Sequence, residues 1–219
     1  MTLGRRLAAE ALGTAFLLAA VVGSGIMGER LADGNVAVAL LANSIATGGA
    51  LVALILTFGA ISGAHFNPGV SLAAAVTREL PWRDAALYAV VQVAGAFAGV
   101  AAAHLMFGEP LFSASAHERS GAAQWWSEFV AMFGLVAVIS SCGRARPAAV
   151  PFAVAAYITA AYWFTASTSF ANPAVTFARA ATDTFSGIAP ADVFPFVIAQ
   201  LAGTIAAVYT MRWLLSKDV

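Results

Sequence analysis

Apolar residues fill six long runs of the chain, at about 7–27, 36–60, 83–107, 125–142, 150–167 and 192–214, and polar residues gather in the short gaps between them. Crossing about 30 Å of hydrocarbon takes roughly 20 helical residues, so each run predicts a membrane-spanning helix. The gaps are Gly28-Glu29-Arg30 through Asp33-Gly34, Arg78-Glu79, Glu109-Pro110 through Gly121, Gly143 through Pro147, and Asp183 through Asp192. None has room for a soluble domain, so a single membrane domain over 1–219 is expected. Two apolar pieces, 68–77 and 173–181, are left over and are too short to cross. Each opens on Asn-Pro, in HFNPGV at 65–70 and FANPAV at 170–175. Proline suits the first position of a helix, where its missing N–H is not needed. Asparagine before it is a good N-cap. Both pieces therefore predict half-helices, starting at Pro68 and Pro173. The irregular backbone leading into them is tolerated at membrane depth only when it is buried in protein or lines a wet cavity.

The pattern repeats. Glu10 in AEALGT and Glu128 in SEFVAM lie near the start of a first span, and Gln92 in VQVAGAFAG and Gln200 in AQLAGTIAA lie in a last span. The glutamates, the motif asparagines and the glutamines are 118, 105 and 108 residues apart. So steady an offset predicts two related halves, about 1–108 and 120–219. Each holds three spans, an odd number, so the second half inserts upside down as an inverted repeat. The expected fold is all-α: six transmembrane helices plus two re-entrant half-helices whose N-termini meet near the midplane.

Basic residues set the orientation. With six crossings and an inside N-terminus, Arg5, Arg6, Arg78, Arg83, Arg144, Arg146, Arg212 and Lys217 fall inside, and Arg30, Arg119 and Arg179 outside. Both termini are expected on the cytoplasmic side of the plasma (inner) membrane. The basic Arg5-Arg6 start resembles a secretory signal, but Glu10 and an apolar run continuing past Gly25 make it a retained first span.

Composition agrees. Hydrophobic residues make up 61% and charged residues 10%, with a mean hydropathy of +0.83; a soluble domain would be about a quarter charged. Eleven basic residues balance eleven acidic ones, which gives no reason to expect a nucleic-acid partner. The single cysteine, Cys142, excludes an intramolecular disulfide and reads as a small buried thiol. His104 and His117 have no partner at metal-ligand spacing, so neither a metal nor another cofactor is expected. Trp82, Trp125, Trp126 and Trp213 fall at span ends and read as interface anchors, while Trp163 and Phe164 lie within a span.

Two facing helix N-termini, each with about half a positive charge, make the midpoint electropositive and bar cations and protons. Asn67 and Asn172 can turn an amide N–H₂ into the lumen while their carbonyl oxygens cap the backbone. Such a passage suits small uncharged molecules bearing hydroxyl groups, and water.

These residues resemble the aquaporin, or major intrinsic protein, family over essentially the whole chain. The resemblance rests on Glu10-x-x-x-Thr14, SGAHFNPG at 62–69, Gln92-x-x-Gly95, FANPAV at 170–175 and the inverted halves. It implies one pore per subunit, a homotetramer in lipid, and motif residues Asn67, Pro68, Gly69, Asn172, Pro173 and Ala174. Two departures stand out. Gly69 replaces the family's usual alanine, at a helix cost of up to about 1 kcal/mol. Val175 replaces the arginine that usually follows the second motif, narrows the constriction and repels cations. Counted from the asparagines as in the family, the other constriction positions fall on Thr47, Ala160 and Ser169. A wide, neutral ring is expected, passing glycerol, neutral metalloid hydroxides such as arsenous acid, and as further candidates urea and water. Arg179, one turn past Val175 on the same helical face, is expected to place positive charge in the outer vestibule.

Supporting roles remain open between alternatives. Glu10 and Glu128 are membrane acids and hence functional by default; the family implies that they anchor loop carbonyls, and a proton relay is the other reading. His65 either lines the inner vestibule or only packs. Gln92 and Gln200 are expected to hydrogen-bond loop backbone. Gly95, Gly99 and Gly203 mark close helix packing. An ion-coupled secondary transporter using Glu10 and Glu128 is the competing function, although no acid lies beside either half-helix start. An enzyme is not expected, because no Ser-His, paired-aspartate or His-Glu-x-x-His arrangement is present.

Overall fold

The computed structural model describes residues 1–216; the basic residue Lys217, counted above for orientation, lies outside them. Eight α-helices follow one another: α1 (Leu3–Leu31), α2 (Val36–Ser62), α3 (Pro68–Val76), α4 (Trp82–Phe107), α5 (Ala122–Ala145), α6 (Val150–Phe164, led in by the 3-10 turn Pro147–Ala149), α7 (Pro173–Arg179) and α8 (Pro190–Leu214). Six of them are long and apolar enough to cross a membrane, α6 together with its lead-in turn. Most spans run a few residues past the apolar runs, because helices continue into polar residues that reach water. The last turn predicted for α6 is instead irregular chain, since residues 165–172 form the entry to α7.

The halves pack alike. In the first, α1 lies on α4 and α2; in the second, α5 lies on α8 and α6. Glycines bring the first pair of each half together. A Cβ on Gly95 of α4 would sit 2.3 Å from the Ala11 carbonyl oxygen of α1, and one on Gly203 of α8 would sit 2.4 Å from that of Phe129 of α5. Only glycine permits so close a helix crossing. Contacts between α2 and α6 join the halves. There the Trp163 indole N–H donates to the Ser44 hydroxyl at 3.1 Å, although the ring itself is half exposed.

Ion pairs pin the ends of α1, Arg6 to Asp84 at 2.6 Å and Arg30 to Glu109 at 2.7 Å. Large apolar side chains such as Phe16, Val90, Leu105 and Phe194 cover the outside, as a surface facing lipid requires. Trp82, Trp126 and Trp213 are exposed at span ends, as expected of interface anchors. Cys142 is half-buried rather than buried, because it lies near the end of α5 where packing thins out.

Candidate functional site

The two half-helices begin face to face. The Asn67 side-chain oxygen accepts the Gly69 N–H at 2.9 Å, and that of Asn172 accepts the N–H groups of Ala174 at 3.0 Å and Val175 at 3.3 Å. Pro68 and Pro173 take the first helical positions. The amide nitrogens then cross between the halves. Asn67 Nδ2 donates to the Ala171 carbonyl at 2.7 Å, and Asn172 Nδ2 donates to the Phe66 carbonyl at 2.8 Å. One N–H of each amide is thereby committed to the opposite half; Asn67 Nδ2 also lies 4.0 Å from Met132 Sδ, while the second N–H of Asn172 is left for the lumen.

The entry loops are held in a conformation that their residues do not favour. Ala64 and Phe66 have φ of 50° and 49°, and Thr168, Ser169 and Ala171 have 60°, 52° and 46°. Left-handed backbone costs about 1–2 kcal/mol per non-glycine residue, so something must impose it. The buried glutamates do. Glu10 accepts from the Ser62 hydroxyl (2.6 Å), the His65 and Phe66 N–H groups (3.0 and 2.7 Å) and Gln92 Nε2 (2.9 Å). Glu128 accepts from the Ser167 hydroxyl (2.5 Å), the Phe170 and Ala171 N–H groups (both 2.9 Å) and Gln200 Nε2 (2.6 Å). Each glutamate therefore anchors loop amides, not loop carbonyls: a carboxylate has only lone pairs to offer and a carbonyl has no proton. Gln92 and Gln200 likewise hold the glutamates, together with the Ser71 and Thr176 hydroxyls at 3.0 and 2.8 Å, rather than loop backbone. Both glutamates are wholly buried.

Gly69 has a steric reason. A Cβ there would lie 2.3 Å from Met132 Cε and 3.0 Å from the Thr204 hydroxyl. The methionine fills the space that an alanine methyl would need.

A cavity of about 1120 Å³ enters from the end of the bundle that holds the start of the loop after α3 and the end of α8, past Arg144 and Arg212, and runs by His65 and Asn67 to Asn172. It reaches a ring of Thr47, Tyr162, Ser169 and Val175. Three of the four expected constriction residues thus line the passage. Ala160 does not, since it is exposed on the outer face of α6. The lining face of α6 is Val154, Ile158 and Tyr162, spaced by four. Ala160 is two residues from each neighbour, about 200° around the helix. The α6 side chain that lines the cavity beside Thr47 is Tyr162, whose hydroxyl lies 3.2 Å from that of Thr47. The ring carries no charge and three hydroxyl groups, and the Ser169 hydroxyl is buried without a protein partner. Tyr162 also adds bulk where alanine was expected to leave space.

His65 lines the cavity, with its Nδ1 3.0 Å from the Ser71 hydroxyl and its ring edge-on to Tyr88. Glu10, Glu128, Gln92 and Gln200 do not line it.

Beyond Val175 the long connection 108–121 folds over the end of α7. The Ser115 N–H donates to the Ala180 carbonyl at 3.1 Å, and the Ala116 N–H donates to Asp183 at 2.8 Å. Arg179 does not stand free in a vestibule. It is 2% exposed, its Nε donates to the Ser186 carbonyl, and its guanidinium lies 3.4 Å from the Phe170 ring centre. The connection supplies a second guanidinium that sequence reasoning placed only in an outside loop. Arg119 Nε donates to the Gly187 carbonyl at 2.8 Å, and its guanidinium lies 5.1 Å from the same ring. Burial lowers the Arg119 pKa from its ordinary value, against the pull of the Glu128 charge. Its clue in the sequence was an arginine in the longest connection, which no periodicity singles out.

No group of three or more His, Cys, Asp or Glu side chains able to hold a metal occurs among the described residues.

The family model for the major intrinsic proteins matches residues 1–166. The chain is 59% identical over 213 residues, 97% of its own length and 91% of the relative's, to aquaglyceroporin AqpS of Rhizobium meliloti (strain 1021). It is 36% identical over 138 residues to aquaporin NIP1-4 of Oryza sativa subsp. japonica, a match covering 60% of this chain and 49% of that protein. Its fold is similar to the X-ray structure of the aquaglyceroporin from Plasmodium falciparum, with a TM-score of 0.74 and 19% identity over 97% of this chain and 95% of that one.

Proposed function

The chain belongs to the major intrinsic protein family, and on that premise we propose that its passive pore for small neutral solutes admits glycerol and neutral metalloid hydroxides such as arsenous acid, with urea and water as further permeants. One observation carries this reading: the cavity ends in an uncharged ring of Thr47, Tyr162, Ser169 and Val175, where the unpartnered Ser169 hydroxyl is free to meet a solute hydroxyl. The aliphatic Val175 gives a carbon backbone an apolar wall. Asn67 and Asn172 supply donors at the midpoint, and the two helix N-termini oppose cations there. A polyol or a metalloid hydroxide can exchange its water shell for these groups one at a time.

Relatedness to an aquaglyceroporin over 97% of the chain supports the glycerol reading. The metalloid reading rests on the neutral ring. We further propose a homotetramer with one pore per subunit, in the plasma (inner) membrane, with both termini cytoplasmic, and with halves bounded near 1–108 and 120–219. Ion coupling through Glu10 and Glu128 is not favoured, because both carboxylates are spent on four donors each and lie outside the cavity.

The test is Val175→Arg in proteoliposomes. Glycerol and arsenous acid permeation are expected to fall tenfold or more and water permeation much less, because a guanidinium would fill the ring. Equal fluxes for all solutes in variant and parent would remove Val175 from the constriction. A glycerol flux that rises with an imposed proton or sodium gradient would restore the coupled transporter.

A further inference from the structure

The connection 108–121 is fastened unevenly. From Ser115 onward it is tied repeatedly: Ser115 to Ala180, Ala116 to Asp183, the Arg119 N–H to Asp192 at 2.7 Å, and the His117 carbonyl to the Ala189 N–H at 2.7 Å. Residues 110–114, by contrast, make a single hydrogen bond among the described residues. It is a long one, in which the Phe112 N–H donates to His104 Nδ1 at 3.4 Å. Phe112 has a φ of 56°, a left-handed backbone that a residue with a side chain adopts only when something imposes it. Its ring meets Phe97 edge-on, with centres 6.2 Å apart, and its N–H is received by His104.

His104 lies in the last turn of α4 and is 1% exposed. Its neighbours fix where its proton sits. An N–H donor faces Nδ1, so that nitrogen offers a lone pair and the ring proton is on Nε2. Nε2 donates in turn to the Thr182 hydroxyl at 2.7 Å, and Thr182 to Thr184 at 2.9 Å. One imidazole therefore joins the end of α4, the connection and the segment after α7. The charged groups that face it are Glu109 on the connection and Asp183 beyond α7, which line with it a pocket of about 210 Å³. Arg30, from the end of α1, is already paired with Glu109 at 2.7 Å. None of these residues lines the main cavity, so the motion of the connection is to be read directly rather than through flux.

We propose that His104 is a pH-sensitive clasp that releases residues 110–114 in acid. A second proton has only Nδ1 to bind. The charged ring then presents two donors, and the Phe112 N–H loses its acceptor. Phe112 keeps its ring contact with Phe97 but nothing that holds its backbone left-handed, so the segment opens as a local unit. The new Nδ1–H turns across the pocket toward Glu109 and Asp183, whose charges favour the imidazolium. The bond from Nε2 to Thr182 survives, and the ties from Ser115 onward do not involve the imidazole. The open form thus binds a proton that the closed form has no place for, so opening grows as pH falls and the clasp is shut above the titration. Helix α4 starts beside Arg78 and ends at the opposite face of the bundle, so the clasp senses the compartment opposite the mouth at Arg144 and Arg212.

Nitroxide labels on Ala114→Cys and, as a reference, on Glu118→Cys test this in proteoliposomes with equal pH on both faces. Both positions are exposed, and a Cys142→Ser background removes the only native cysteine. The mobile fraction of the label at 114 is expected to rise roughly tenfold from about pH 8 to about pH 5, the range in which histidine changes charge. The label at 118 is expected to stay as it was. His104→Asn keeps an acceptor oxygen for Phe112 and takes no charge, so it is expected to hold the label at 114 still throughout. A label at 114 that ignores pH, or that responds equally in His104→Asn, overturns the proposal, as does a label at 118 that loosens as much. Should His104→Asn fail to assemble, the midpoint in Asp183→Asn decides instead. That variant keeps an oxygen for the Ala116 N–H but removes a charge that favours the imidazolium, so the midpoint is expected to move to lower pH. An unmoved midpoint overturns the proposal.

Discussion

At the entry to α3, Glu10 gathers a serine hydroxyl, two successive backbone amides and a glutamine; at the entry to α7, Glu128 gathers the same four kinds of donor. Ser62 answers to Ser167, Phe66 to Ala171, Asn67 to Asn172 and Ser71 to Thr176, each 105 residues on. The next correspondence breaks the likeness. His65 in the first half lines the broad cavity, whereas Phe170 in the second is turned away from the cavity and carries Arg119 and Arg179. The first entry is open to solvent. A connection covers the second. What the halves share is what left-handed entry backbone needs in order to exist. What they do not share is the residue before the motif loop's last turn, histidine on the cavity in one half and phenylalanine away from it in the other.

The largest effect is expected where the halves are alike. Glu10→Ala and Glu128→Ala each leave four buried donors without an acceptor, at about 1–3 kcal/mol per donor. Both should lose monodisperse protein in detergent and lose solute flux. A well-folded variant in one half only would break the equivalence of the two clamps.

A smaller effect should fall on the second half alone. Tyr162→Ala should raise permeation of solutes larger than glycerol severalfold, because the ring loses its bulkiest member. Ala160→Leu should leave the flux unchanged, as the added carbons project from the exposed face of α6. Stopped-flow swelling with polyols of increasing length measures both, and the reverse ranking would return Ala160 to the ring.

The smallest effect sharpens the likeness. Gly69 corresponds to Ala174, and Met132, which crowds Gly69, lies 118 residues after Thr14. Gly69→Ala should lower thermal stability by about 1–3 kcal/mol through overpacking. Met132→Val should recover part of that, giving a coupling of at least about 0.5 kcal/mol in a double-mutant cycle. Strictly additive costs would separate Gly69 from Met132.

The spans, the half-helices and their caps were legible in the sequence because each is a local signal: a run of apolar residues, or Asn before Pro. The landmarks Glu10, Glu128, Gln92 and Gln200 stood out as polar residues inside such runs. Their partners did not, since the choice of amide over carbonyl is settled only by the turn of the loop. Ala160 failed for another reason. Counting twelve residues back from Asn172 fixes a distance along the chain, but the non-helical segment 165–172 sets the phase at which α6 meets the passage, and that phase brings Tyr162 to it. Arg119 was least legible of all, because a connection carries no periodicity to say where its side chains go.

The crossed amides have a mechanical corollary. With Asn67 bonded to the Ala171 carbonyl and Asn172 to that of Phe66, neither half-helix can slide or tilt without breaking its twin's grip, so the bundle is riveted at its waist. Any opening or shutting of this conduit must then take place at its two mouths, by side chains and loops, while the waist keeps a constant bore.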